Sequence, residues 1–308
     1  MIVRMLVTLL LALGSTLALA ADPQVLRIGY QKSSVNMVLA REHRLLEQAL
    51  PGTQVQWIEF PGGPQLIEAL NGGSLDVGNI GDIPPIFAQA AGIPLRYIGI
   101  EPNDGRSEAI IVPSSSPART LADLKGKRIA LQKGSSAHSL LLKSLIKAGL
   151  QLSDVELVYL PAADARPAFE QGKLDAWVIW DPYYAAALLD GSARTLSTGE
   201  DVHPSGTYYI ASRPFTEQYG ATIDKVLEAL RQAQKISVEQ REQSIDGMTK
   251  VLGLKREVVE LYFEHRYNAP IRPLDAAAIE TQQRIADLFF ANRLIPRAVQ
   301  VREVVFPQ

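Results

Sequence analysis

The segment Lys133-Gly134-Ser135-Ser136-Ala137-His138 holds the densest group of residues able to do chemistry: a glycine, two hydroxyls and an imidazole heading an apolar-periodic run. If that run is a helix, its first turn leaves backbone N–H groups without partners and its dipole favours an anion there. Gly134 lets the chain approach a ligand closely, and Ser135 and Ser136 add neutral donors. The same residues also read as an ordinary helix cap, with a serine hydroxyl accepting from the first-turn N–H groups. Sequence leaves these two readings level. Ser135 and His138 stand three apart, as a nucleophile and base could, but no Gly-x-Ser-x-Gly elbow presents the serine.

Asp82 and Asp181 would be an acid/base pair if they met. Each, however, comes within two residues of a proline and opens an Ala-rich run, which is the pattern of an N-cap. Capping is the preferred reading, and capped helices at strand ends still present N–H groups to a ligand. Tyr30, Trp180, Tyr183, Tyr184, Tyr208 and Tyr209 lie near these loops. About half must be core; those at strand ends, chiefly Trp180, are candidates for an apolar wall. His43, His138, His203 and His265 show no zinc-site spacing, so no metal and no cofactor is expected. Neither a P-loop nor a Gly-x-Gly-x-x-Gly run is present, which removes the nucleotide motifs.

The elements that must position these groups announce themselves by repetition. Val55–Pro61 and Gly73–Asp82 reappear, loosely rewritten, as Val155–Pro161 and Gly172–Asp181. Each copy reads as strand, helix, Gly-x-Leu-Asp turn, buried strand and an Asp-led helix start. Two such units about one domain apart predict two α/β lobes facing each other across a cleft. Around them the pattern predicts strands at Val25–Tyr30, Leu95–Ile100, Ala109–Val112, Arg128–Gln132 and Thr207–Ser212. It predicts helices over Asn36–Leu50 and His138–Gly149, and a helical stretch from about Phe215 to Leu294. Pro113-Ser114-Ser115-Ser116-Pro117 reads as a boundary between lobes, with crossings near Ala109 and Tyr208 acting as a hinge.

The chain has 308 residues, enough for two domains, and a net charge of −2 that gives no electrostatic case for nucleic acid. It has no cysteine, which excludes disulfides, thiolate metal sites, a cysteine nucleophile and a lipid-modified cysteine. Arg4 before the apolar run Met5–Leu13, with Ala18-Leu19-Ala20 preceding Ala21, predicts a signal peptide cleaved near Ala20/Ala21 and a periplasmic, freely soluble mature protein.

Taken together, Tyr30-Gln31-Lys32, Glu59–Gln65, Gly81–Ala90, Gln132–His138, Ala163–Arg166 and Ile179–Tyr184 resemble the aliphatic-sulfonate-binding proteins of bacterial ABC importers, within the taurine/nitrate/sulfonate-binding group. The resemblance implies a two-lobed type II periplasmic-binding-protein fold, each lobe a mixed β-sheet flanked by helices. It implies a cleft that captures an organic sulfonate and delivers it to a membrane permease driven by a cytoplasmic ATPase, with no catalysis and a monomeric chain. It places the anion among Gln31-Lys32-Ser33, Gly81-Asp82, Gly134-Ser135-Ser136 and Trp180-Asp181, with Trp180 and Tyr208 expected against the organic tail. The chain departs from the relatives at Asn79-Ile80-Gly81, where a small hydroxyl residue often precedes the Gly-Asp, and at Ser33-Ser34, where a glycine often follows the lysine. The expected division is 1–20 as signal peptide, 22–108 with 209–308 as the first lobe, and 109–208 as the second. Other readings are a protein for taurine, an aryl sulfonate, a sulfate ester or nitrate, or an enzyme of the same fold.

Overall fold

The structure is a computed structural model that describes residues 22–202 and 206–307. The expected signal peptide and His203 lie outside the described residues. Ten strands form two sheets. In chain order they are β1 (Val25–Tyr30), β2 (Gln54–Glu59), β3 (Val77–Ile80), β4 (Leu95–Pro102), β5 (Glu108–Pro113), β6 (Arg128–Leu131), β7 (Glu156–Tyr159), β8 (Ala176–Trp180), β9 (Ala193–Thr198) and β10 (Gly206–Ser212). The first sheet runs β2-β1-β3-β10-β4 and the second β7-β6-β8-β5-β9. In each, three parallel strands meet an antiparallel pair contributed by the strands that cross between sheets. Both sheets are therefore mixed and of matching order.

The sequence echo has a physical cause. In the first copy Leu75 is buried, and the Asp76 carboxylate accepts the Arg27 backbone N–H of β1 at 2.8 Å. In the second, Leu174 is buried and Asp175 accepts the Arg128 N–H of β6 at the same 2.8 Å. The Arg27 and Arg128 side chains then reach back to the carbonyls of Gly73 and Lys173. Each Gly-x-Leu-Asp turn thus pins a helix end to the start of its sheet's second strand, and the pattern recurs because the geometry recurs.

The helices that flank the first sheet begin with α1 (Val35–Glu42), α2 (Leu45–Ala49), α3 (Gly63–Asn71) and α4 (Ile83–Ala91); those of the second are α5 (Ser136–Lys147), α6 (Ala162–Glu170) and α7 (Tyr183–Leu189). After β10 the chain is helical: α8 (Arg213–Gln218), α9 (Gly220–Glu239), α10 (Arg241–Leu252), α11 (Arg256–His265) and α12 (Ala276–Ala291). The single helix expected over Asn36–Leu50 is broken, because Arg44 adopts a left-handed φ of 55°. The break redirects the chain so that Leu45, Leu46 and Leu50 all enter the core, and burying such side chains at about 1.5–3 kcal/mol each outweighs the αL cost of about 1–2 kcal/mol. The Pro113–Pro117 loop does not part the lobes. β5 already pairs with β8 and β9, so the chain changes sheets earlier, between Pro102 and Glu108.

The two lobes touch. Leu142 of α5 packs in the first lobe's core with Phe289 and Leu274, and Ala185 and Ala186 of α7 join the cluster that contains Val259 and Tyr262 of α11. The crossings also meet each other. The Gly199 N–H donates to the Gly105 carbonyl at 3.0 Å, and a Cβ on Gly105 would lie 2.2 Å from the Gly199 carbonyl carbon. Gly105 sits at φ +87°, so glycine is required there on both counts.

Candidate functional site

Between the lobes lies a cavity of about 150 Å³. It opens where β1, β3, β6 and β8 end, at the carboxyl ends of parallel strands, where an open α/β sheet leaves a crevice between diverging helices. Gln31 and Ser33 face it from the turn after β1, Gly81 from the end of β3, Ser135 and Ser136 from the start of α5, and Trp180 and Asp181 from the end of β8. These are the expected binding residues that the fold brings together.

Two helix N-termini point into the cavity. Ser34 caps α1 and Ser135 caps α5 in extended backbone conformations, yet neither side chain makes a capping hydrogen bond. The Ser135 hydroxyl instead donates to the Gln132 carbonyl at 2.7 Å. Side-chain capping at Ser135 is thereby excluded. The same bond occupies the Ser135 proton and the Ser136 hydroxyl is turned to Glu108, so the donors this turn can offer are backbone N–H groups. Gly81 allows close approach: a Cβ there would sit 3.1 Å from the Ser136 Cβ, across the seam between lobes. Asn79 is buried beside it, and its Oδ1 has no protein partner among the described residues.

Other expected residues lie elsewhere. Tyr208 is fully buried, edge-on to Tyr97 at 5.2 Å in the first lobe's core, and cannot touch a ligand tail. Alternation along β10 puts it on the face that packs in one cluster with Ile83 and Phe289. His138 is also fully buried; its Nδ1 accepts the Gly134 N–H at 3.4 Å, and its ring meets Phe289 of the other lobe edge-on at 5.3 Å. Burial and the nearby Lys133 hold its pKa down to about 4, so it is a neutral packing residue at the seam. Lys32 is solvent-exposed and pairs with Glu59 at 3.3 Å. Gly134, at φ +74°, shapes the turn without lining the cavity. Asp82 starts α4 but makes no capping bond; it is turned toward Lys143 of α5, and burial pushes its pKa up. Asp181 stands one residue before the N-cap of α7, which is Pro182, and its Oδ1 accepts the first-turn Ala185 N–H at 2.9 Å.

Three charged residues of the cleft, Arg266, Glu101 and Glu108, were not among the expected binding residues. Arg266, just past α11, lines the cavity and is held by the Asn36 Oδ1 at 3.1 Å and by Glu101 at 3.6 Å. Glu101 accepts further bonds from Asn36 at 2.8 Å and the Tyr209 hydroxyl at 3.1 Å. Burial raises the Glu101 pKa, and Arg266 opposes the rise. Glu108, at the start of β5, also lines the cavity; burial and the neighbouring Asp82 push its pKa up to about 7, against a hydrogen bond from Ser136. These acids come from strand ends and the arginine from a distant helix, so no local spacing joins them. Among the described residues no group of three or more His, Asp or Glu side chains is placed to hold a metal ion.

Two sheets of matching order, joined by paired crossings around a polar cleft, define the two-lobed type II periplasmic-binding-protein fold. The chain belongs to the NMT1-like family, which matches residues 20–253. It is 51% identical over 294 residues to a protein of Escherichia coli (strain K12) named for aliphatic sulfonates binding, covering 95% of this chain and 92% of that one. The alkanesulfonate-binding protein SsuA from Xanthomonas axonopodis pv. citri, solved bound to MOPS, is 51% identical and superposes with a TM-score of 0.91, over 93% of this chain and 99% of that one. The periplasmic aliphatic sulphonate binding protein SsuA from Escherichia coli is 50% identical with a TM-score of 0.87, over 92% and 98%.

Proposed function

We propose that this protein is the solute-binding component of an ABC importer, capturing aliphatic sulfonates between its lobes and delivering them to a membrane permease coupled to a cytoplasmic ATPase. The reading is supported above all by the uncapped N-termini of α1 and α5 facing one cavity. A sulfonate is a permanent monoanion that only accepts hydrogen bonds, and backbone N–H groups at helix starts suit it without a full counter-charge. Hydrogen bonds to a charged group contribute about 1.5–3 kcal/mol each. Three or four, less ordering and desolvation, give affinity on the order of micromolar. The neighbour at 51% identity that holds MOPS, itself a sulfonate, points the same way.

In this reading Gln31, Ser33, Gly81 and the Ser135-Ser136 turn surround the sulfonate, and Trp180 meets the organic tail. The lobes, 22–108 with 209–308 and 109–208, close about the two crossings as a monomer. The protein works in the periplasm after cleavage near Ala20/Ala21, as a carrier and not an enzyme. Glu101 and Asp181 on the cavity wall favour a second ligand class, sulfonates whose tail carries an ammonium, such as taurine. Calorimetric titration of the mature protein with ethane- to octanesulfonate, taurine, sulfate and nitrate tests the proposal. Micromolar binding of one or more alkanesulfonates is expected. Binding of sulfate or nitrate alone would overturn it, as would no binding at all.

A further inference from the structure

A carboxyl group stands where an anion is to be bound. Glu108 faces the cavity beside Gly81 and the Ser136 hydroxyl, and it also borders a small second cavity behind the cleft. An ionised carboxylate there would repel a sulfonate in a closed, poorly hydrated space. We propose that Glu108 meets the ligand as a neutral carboxylic acid, donating its O–H to a sulfonate oxygen, so that capture is coupled to proton uptake and Glu108 selects for fully ionised, acceptor-only anions. This rests on the sulfonate reading of the cleft.

The surroundings of Glu108 support the neutral form. Asp82 at the head of α4 and Asp181 at the end of β8 both disfavour a further negative charge at Glu108. Asp181 is in turn bound to His265 of α11, whose Nδ1 is 2.8 Å from Asp181 Oδ2. Lys143 of α5, shared with Asp82, and the hydrogen bond from Ser136 act the other way, and Arg266 lines the same cavity. Without a ligand, burial and Asp82 already push the Glu108 pKa up to about 7. A second negative charge within a few ångströms moves a carboxyl further up, so the liganded protein holds the proton more tightly than the free one. By linkage the same proton tightens the ligand. The step is a proton taken from solvent onto the Glu108 carboxylate, with no other bond made or broken. An acceptor-only oxygen gains a donor, whereas an anion carrying its own proton would set two donors face to face.

Titration of the mature protein with ethanesulfonate at pH 6 and pH 8.5, each in two buffers of different ionisation enthalpy, tests this. The dissociation constant is expected to rise about 30-fold from pH 6 to pH 8.5, the factor for a binding-competent acid form with a pKa near 7. The paired buffers should show net proton uptake near neutrality. Glu108→Gln, which keeps a donor but cannot ionise, should abolish both the slope and the uptake; a thermal melt confirms that it folds. His138, held down to about 4, does not titrate in this window. Binding that is level with pH, or that strengthens as pH rises, would overturn the proposal while leaving the sulfonate reading intact. Absence of ethanesulfonate binding at both pH values in both proteins would instead overturn the sulfonate reading, and this inference with it.

Discussion

His265 Nδ1 lies 2.8 Å from Asp181 Oδ2, so the last residue of α11 ties down the tip of β8 from the opposite lobe. The other Asp181 oxygen accepts the Ala185 N–H at 2.9 Å, and the Tyr184 ring stacks on the imidazole at 5.0 Å. Burial pushes the Asp181 pKa up and the His265 hydrogen bond opposes that rise. One carboxylate thus orders a helix start and latches two lobes at the mouth of the cleft.

Asp181→Asn should loosen that latch. A hydrogen bond with an ionised partner contributes about 1.5–3 kcal/mol, so ligand affinity should fall roughly tenfold to a hundredfold. The ligand-free variant should also show a larger radius of gyration in solution scattering. An unchanged radius together with unchanged affinity would mean that the contact does not govern closure.

Arg266 and Glu101 form a buried pair whose partners cannot be lost singly. Arg266→Ala leaves Glu101 without its cation, and breaking such a pair costs about 3–5 kcal/mol. Urea unfolding should show that loss, and Arg266→Met combined with Glu101→Gln should recover a large part of it. If the single and double variants are equally unstable, the loss comes from packing against Phe263, over whose ring the guanidinium lies at 5.4 Å.

The lobes were legible because local turns carry them. Gly73 to Asp76 and Gly172 to Asp175 do the same mechanical work within one unit, and a single chain segment displays it. The turns that line the cavity were legible for the same reason, since a strand end and a helix start are adjacent in sequence. What escaped depends on contacts between distant segments. Arg266 reaches Asn36 across 230 positions and His265 reaches Asp181 across 84, and no spacing rule links them. Tyr208 went astray through strand register: its neighbour Thr207 faces the cavity, while Tyr208 itself points into the core. Ser135 does line the cavity, but its proton is occupied within its own turn, which only the hydrogen-bond geometry reveals.

The two crossings make a sharp contrast among glycines. Gly105 and Gly126 both have positive φ, at +87° and +72°, but a Cβ at Gly105 would strike the Gly199 backbone at 2.2 Å while one at Gly126 would meet nothing within 4 Å. Gly126→Ala should therefore cost only backbone strain, about 1 kcal/mol. Gly105→Ala must move backbone where the crossings meet, so it should lower the melting temperature several-fold more than Gly126→Ala does. Equal effects would show that the crossings are free to separate without loss.

Acid and base should act oppositely through His138 and Glu108. The folded protein holds His138 down at about 4 against an ordinary value of 6.5. Between those values the unfolded chain binds more protons, so stability rises with pH, and the contribution is lost as pH falls through the window. The full effect is about 3 kcal/mol. Glu108 is raised from 4.5 to about 7; there the folded state binds more protons, and its contribution is complete below about 4.5 and lost as pH rises through 7. In the wild type the two slopes offset each other between about pH 4.5 and 6.5. Urea unfolding across this range should then separate them. Relative to wild type, Glu108→Gln should gain stability with rising pH, exposing the His138 slope. His138→Phe, which keeps a ring against Phe289 and Tyr159, should lose stability with rising pH. Parallel curves for the wild type and His138→Phe would mean that the seam accepts the imidazolium, and that the lobes part there before the protein unfolds.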